Sequence, residues 1–204
     1  MKSESSAPLS PALPNQRRPR LLLAGAAGLC WVGAIALLVG PDLVATAELF
    51  SPLRVIFYAL VLAAALLTFV PLEVALRIPG LALEGACGAL LLLYALAFIP
   101  PPTAPIYHLP DTPVYLIFLG GLFALISAAA LPLVALVGQR VFRRRARQYD
   151  LVRSRRQAHA IGALAVAYGV LGGLRIQTPL SVLLATLVVV LIEILFLAYV
   201  EAAQ

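Results

Sequence analysis

Six long apolar segments, separated by short polar or proline-rich stretches, make up most of this chain. They cover residues 21–39, 53–70, 81–99, 114–137, 158–174 and 180–200. An α-helix rises about 1.5 Å per residue and the hydrocarbon core of a bilayer is about 30 Å thick, so helices of this length can cross it. Prolines fall mostly at the segment boundaries, where a helix tolerates them. The pattern predicts an all-α, polytopic integral membrane bundle of six transmembrane helices.

Two segments depart from this regularity. The fifth, residues 158–174, is the shortest of the six. The fourth contains Pro132 in its interior, where a missing backbone N–H predicts a kink.

The composition supports a membrane protein and excludes several other classes. Apolar residues make up 62% of the chain and charged residues 12%, against about 45–50% and about 25% in soluble domains. An ordinary soluble enzyme, a disordered protein and a disulfide scaffold are therefore excluded. The chain contains no nucleophile elbow, no HExxH pair and no phosphate-binding glycine loop. We accordingly predict no catalytic residues, no metal and no cofactor.

The chain divides into a tail and a membrane domain. Residues 1–20 are rich in serine and proline, have little to bury, and are expected to be flexible. Residues 21–204 hold the six apolar segments. One alternative stays open, because Ala45, Thr46 and Ala47 resemble a signal-peptidase site. The first apolar segment is longer than the usual 7–15 residues of a signal peptide, which favours its retention.

The positive charges predict the orientation in the membrane. Eight of the fourteen arginines lie in the loop of residues 139–157, and loop 100–113 contains neither lysine nor arginine. By the positive-inside rule, both termini and loop 139–157 face the cytoplasm. The net charge of +6 thus reflects topology and contacts with anionic lipid, with no nucleic-acid partner. We predict an integral protein of the bacterial cell (inner) membrane.

Within the basic loop, four arginines have the spacing of one helix face: Arg140, Arg143, Arg144 and Arg147. Such a face suits an anionic leaflet or a soluble partner. Alternatively, these arginines only retain the loop on the cytoplasmic side.

Glu193 is an acidic residue inside the sixth apolar segment. A carboxyl near the bilayer centre costs at least about 2.5–3.5 kcal/mol and by default suggests function. Without a partner it is expected to be neutral, with Tyr168 a candidate hydrogen-bond partner at similar depth. Glu84, Glu73 and His159 could join Glu193 at a cytoplasm-facing cavity. The alternative is a structural role in helix packing.

Small residues recur every four positions on two segments, which lets helix backbones approach closely. They are Gly120, Ala124 and Ala128 on the fourth segment, and Ala165, Gly169 and Gly173 on the fifth. Packing within the bundle is favoured over a seam between two proteins.

Two functions are compatible with these features. Smooth apolar helices and a basic loop favour a non-catalytic subunit, scaffold or assembly partner of a larger membrane complex. The alternative is a small transporter or a proton- or cation-conducting component, which uses Glu193 and Glu84. Low polarity within the segments favours the first.

Overall fold

The computed structural model describes residues 17–40, 51–102, 105–106, 109–141 and 151–202. These residues form six helices, and no strand occurs in these ranges. The helices are α1 (Arg17–Val39), α2 (Pro52–Leu76), α3 (Leu81–Phe98), α4 (Thr112–Val141), α5 (Leu151–Gly173) and α6 (Pro179–Ala202). The predicted all-α fold is confirmed.

Five of the helices are long and apolar enough to cross a membrane, and α5 is the exception. Its first two turns carry Arg153, Arg155 and Arg156, and its apolar part is rich in alanine and glycine. These residues lower its hydropathy below that of the other helices. The chain is therefore a helical membrane bundle, with α5 packed between α4 and α6.

Several helices extend past the apolar segments that predict them. Helix α1 begins at Arg17 within the predicted tail, and α5 begins at Leu151, in the predicted basic loop. Hydropathy marks only the part of a helix that lies in hydrocarbon, whereas backbone hydrogen bonding continues into the interface. Residues 1–16 and the possible signal-peptidase site lie outside the described residues.

A tight turn joins α2 to α3. Arg77 ends α2 in the left-handed conformation, with φ 55° and ψ 44°. Gly80 precedes α3 with φ 84°, a region that glycine enters without the steric penalty of a side chain. Ile78, between them, is buried. The turn thus holds the ends of α2 and α3 close together.

Helices adjacent in sequence pack against each other, and α4 takes the central place between α3 and α5. Helix α1 packs on α2, where Trp31 Nε1 donates a hydrogen bond to Thr68 Oγ1 at 3.1 Å. Helix α6 packs on α5. The core is built largely from alanines together with Phe57, Val61, Ile78 and Leu131.

Hydrogen bonds between loops and helices define two ends of the bundle. Arg155 Nη2 donates to the carbonyl oxygen of Pro79 at 2.6 Å. At the other end, the backbone N–H of Ile106 donates to the carbonyl oxygen of Gly173 at 3.3 Å. We call the end that contains the α2–α3 turn and the first turns of α5 the arginine end.

The charge distribution predicts that the arginine end faces the cytoplasm. Single cysteines at Leu109 and Val152, which are 83% and 81% exposed, sample the two ends, with Cys30 and Cys87 replaced by alanine. A membrane-impermeant thiol reagent is expected to label position 109 in intact cells and position 152 only after permeabilisation. The reverse pattern would overturn the orientation.

Candidate functional site at the arginine end

Two polar side-chain pairs connect α5 to other helices at the arginine end. Arg156 Nε lies 2.9 Å from Glu193 Oε1, which joins α5 to α6. His159 Nε2 lies 3.2 Å from Glu84 Oε1, which joins α5 to α3. Glu84 and Glu193, two of the acidic residues singled out from the sequence, therefore both contact α5.

Glu193 has a different partner from the one the sequence suggested. It accepts from the Arg156 guanidinium, which also lies 4.8 Å from the ring centre of Phe196. Tyr168 instead contacts Thr186, with 2.9 Å between their hydroxyl oxygens. The structure thus gives Glu193 a guanidinium partner on the neighbouring helix, in place of the hydroxyl that the sequence suggested. The sequence missed Arg156 because it placed this residue in a loop.

The pair of Glu84 and His159 lies where α3, α4 and α5 meet. The His159 ring packs on Phe123 of α4, with centroids 5.6 Å apart and an interplanar angle of 33°. The histidine side chain is 41% exposed and that of Glu84 is 22% exposed. The pair is accessible from one side and supported by an aromatic ring on the other.

Glu73 stands apart from these pairs and caps a helix. Its carboxylate accepts from the backbone N–H of Gly80 at 3.2 Å and of Ala82 at 2.7 Å. A carboxylate there satisfies free donors at the start of α3 and interacts well with the helix dipole. Glu73, one of the four groups expected to share a cavity, thus stabilises the start of α3.

A groove of about 360 Å³ opens beside these pairs. We call it the arginine-end groove. Its lining combines the α2–α3 turn with one face of α5: Ile78, Pro79, Leu151, Val152, Arg155, Arg156 and His159. Two arginines and a histidine come from successive turns of α5, while the α2–α3 turn and the start of α5 supply apolar surface. The groove can therefore hold a molecule with both an anionic and an apolar part.

The small residues pack within the bundle, with one exception. A Cβ atom at Gly169 would lie 2.6 Å from Leu119, and one at Gly173 would lie 3.0 Å from Tyr115. Ala128 is fully buried, whereas Ala124 and Ala165 are partly buried. Gly120 is exposed, and a Cβ atom added to it would have nothing within 4 Å.

Two glycines that the four-residue spacing does not indicate bring α3 and α4 together. A Cβ atom at Gly88 would lie 2.4 Å from the backbone nitrogen of Leu125, and one at Gly121 would lie 2.5 Å from that of Leu92. The four-residue spacing of small residues indicates Gly120, but it is the next residue, Gly121, that contacts α3.

The arginine face predicted from the sequence lies largely outside the described residues. Arg140 lies in the last turn of α4, and its side chain is outside the described residues, as are Arg143, Arg144 and Arg147.

Within the described ranges, no group of three or more histidine, cysteine or acidic residues could hold a metal ion.

Comparisons with protein families, curated proteins and solved structures give no match for this chain.

Proposed function

We propose that this chain is a non-catalytic, multi-pass protein of the bacterial inner membrane that acts as a subunit, scaffold or assembly partner of a larger complex. The observation that carries the proposal is the position of α6. No residue of its segment Pro179–Phe196 is buried, and among the described helices it packs along α5. Most of its circumference is thus free for lipid or for a helix of another protein.

The packing inside the bundle also supports a scaffold. Backbones of α3 and α4 approach at Gly88 and Gly121 too closely for an added Cβ atom, which leaves no room for a hydrated path between them. In the described ranges, Ser127 supplies the one buried side-chain oxygen without a hydrogen-bond partner. A core of this kind stabilises a fixed arrangement of helices and offers few groups to a moving ion.

The proposal is tested by site-specific photo-crosslinking in membranes. A photoreactive amino acid replaces Leu187 on α6 or, as a matched control, Leu133 on α4; the two leucines are 51% and 65% exposed. We expect a discrete protein adduct from position 187 and only lipid adducts from position 133. Lipid adducts alone along α6, together with a monomer in nanodiscs, would contradict the proposal.

The second candidate, a proton- or cation-conducting component, is favoured by one observation. An acid and a histidine face each other across α3 and α5, and the histidine lines the groove. On α6, the polar side chains that contact α5 are Glu193 and Thr186. They lie seven residues apart, which corresponds to about 10 Å along the helix. That gap exceeds a hydrogen bond, which is why we rank conduction second.

The same purified protein decides between the two functions. In proteoliposomes with an internal pH-sensitive dye, a scaffold is expected to leave an imposed proton gradient unchanged. Dissipation that is abolished by both Glu84→Gln and Glu193→Gln, with thermal stability retained, would establish conduction instead.

A further inference from the structure

We propose that the arginine-end groove binds the phosphate group of an anionic phospholipid. The site is formed by Arg155 and Arg156 of α5, with the apolar surface of the α2–α3 turn beside them. This inference is independent of the proposed function, because a scaffold and a conducting protein could both hold such a lipid. It concerns residues other than the four of the predicted arginine face.

Arg155 provides a cation whose charge is not neutralised by any carboxylate in the described part of the chain. Its Nη2 donates to the carbonyl oxygen of Pro79, a neutral acceptor. A guanidinium has five N–H donors in a planar fork that matches the oxygens of a phosphate. The bond to Pro79 therefore orients the group and leaves donors for a ligand.

Arg156 and His159 extend the donor surface along α5. Arg156 uses its Nε on Glu193, and His159 contacts Glu84 through Nε2. Both side chains line the groove, about one helical turn or less from Arg155 along the helix. The carboxylates hold these side chains in place, and that of Glu193 offsets the charge of Arg156, so Arg155 contributes most of the net positive charge.

The remaining lining is apolar and matches the non-phosphate part of a lipid. Leu151 and Val152 are exposed, Pro79 lies at the surface, and Ile78 forms the buried side of the turn. The volume of about 360 Å³ falls at the lower end of the usual range for small-molecule sites, about 300–1,000 Å³. It suits a headgroup and its glycerol rather than a whole lipid.

The place of the groove in the membrane favours a lipid over a soluble anion. It lies at the turn between α2 and α3, two helices long and apolar enough to cross a membrane, and such a turn is expected at the level of the headgroups. Four arginines within residues 142–150 precede α5 in sequence, and a basic juxtamembrane segment enriches anionic lipid nearby. Basic pockets at the ends of transmembrane helices are a known mode of headgroup recognition.

Native mass spectrometry of the full-length protein with added phosphatidylglycerol or phosphatidylcholine tests the proposal. We expect bound phosphatidylglycerol in preference to phosphatidylcholine. Arg155→Gln is expected to weaken this binding about tenfold, the equivalent of one charge-assisted contact. Arg153→Gln removes the same charge from the same helix outside the groove lining and is expected to change binding less than about twofold.

Three results would overturn the proposal. Equal losses in Arg153→Gln and Arg155→Gln would indicate a diffuse charge effect without a site. Equal binding of phosphatidylcholine would remove the role of the anionic headgroup, and displacement by millimolar inorganic phosphate would make free phosphate the ligand. If Arg155→Gln lowers thermal stability, Val152→Asp replaces it, because a carboxylate placed in the groove lining is expected to repel the phosphate without removing the bond to Pro79.

Discussion

Gly121→Ala is expected to destabilise the bundle by about 1–3 kcal/mol, the usual range for overpacking. The new methyl group would lie 2.5 Å from the backbone nitrogen of Leu92 and 2.9 Å from its Cα atom. Backbone atoms cannot turn aside as the end of a flexible side chain can, so α3 and α4 must separate. Thermal unfolding in a mild detergent measures the loss.

Gly120→Ala is the matched control for this prediction. It adds the same methyl group one residue earlier on α4, where nothing lies within 4 Å. Alanine also favours a helix over glycine by about 1 kcal/mol, so this variant should be neutral or slightly stabilising. Gly88→Ala, which places its Cβ atom 2.4 Å from Leu125, is expected to act like Gly121→Ala. Equal stability of the three variants would contradict the packing of α3 on α4.

Replacement of either partner in the pair of Arg156 and Glu193 is expected to destabilise the attachment of α6. Glu193→Leu leaves a guanidinium beside Phe196 without its carboxylate, and Arg156→Leu leaves the acid alone. The side chains are 25% and 23% exposed, so the pair lies between surface ion pairs and fully buried ones. We expect a coupling energy of about 1–3 kcal/mol in a double-mutant cycle.

The charge-swapped protein, with Glu193→Arg and Arg156→Glu, provides the control. It should recover a large part of the stability lost in the single variants, because it restores the attraction with the order reversed. Glu193→Gln keeps a hydrogen-bond acceptor but loses the charge, so it should fall between wild type and Glu193→Leu. Strictly additive effects of the two leucine variants, measured by thermal unfolding, would show that the contact contributes no stability.

The helical membrane fold could be predicted because apolar length is a one-dimensional property of the chain. Helix α5 could not be delimited in this way. Its first turns are basic, so hydropathy does not mark them, and they pack against the α2–α3 turn, as in the contact of Arg155 with Pro79. Contacts between residues 76 positions apart leave no trace in local hydropathy.

The candidate site shows the same division. Glu84, Glu193 and His159 were identifiable because ionisable groups are rare within apolar segments. Their partners depended on how the helices are rotated about their axes, which a single sequence does not specify. The choice of Gly120 over Gly121 is the clearest case, since the two residues point about 100° apart on α4.

The two polar contacts between α5 and α6 have a mechanical consequence. Two contacts hold α6 against α5 at positions about two helical turns apart: Tyr168 with Thr186, and Arg156 with Glu193. Sliding α6 by one turn, about 5.4 Å, would break both contacts at once. Tilting α6 about one of these contacts breaks only the other contact. Any displacement of α6 that accompanies assembly should therefore be a pivot, with the helix swinging from whichever contact persists.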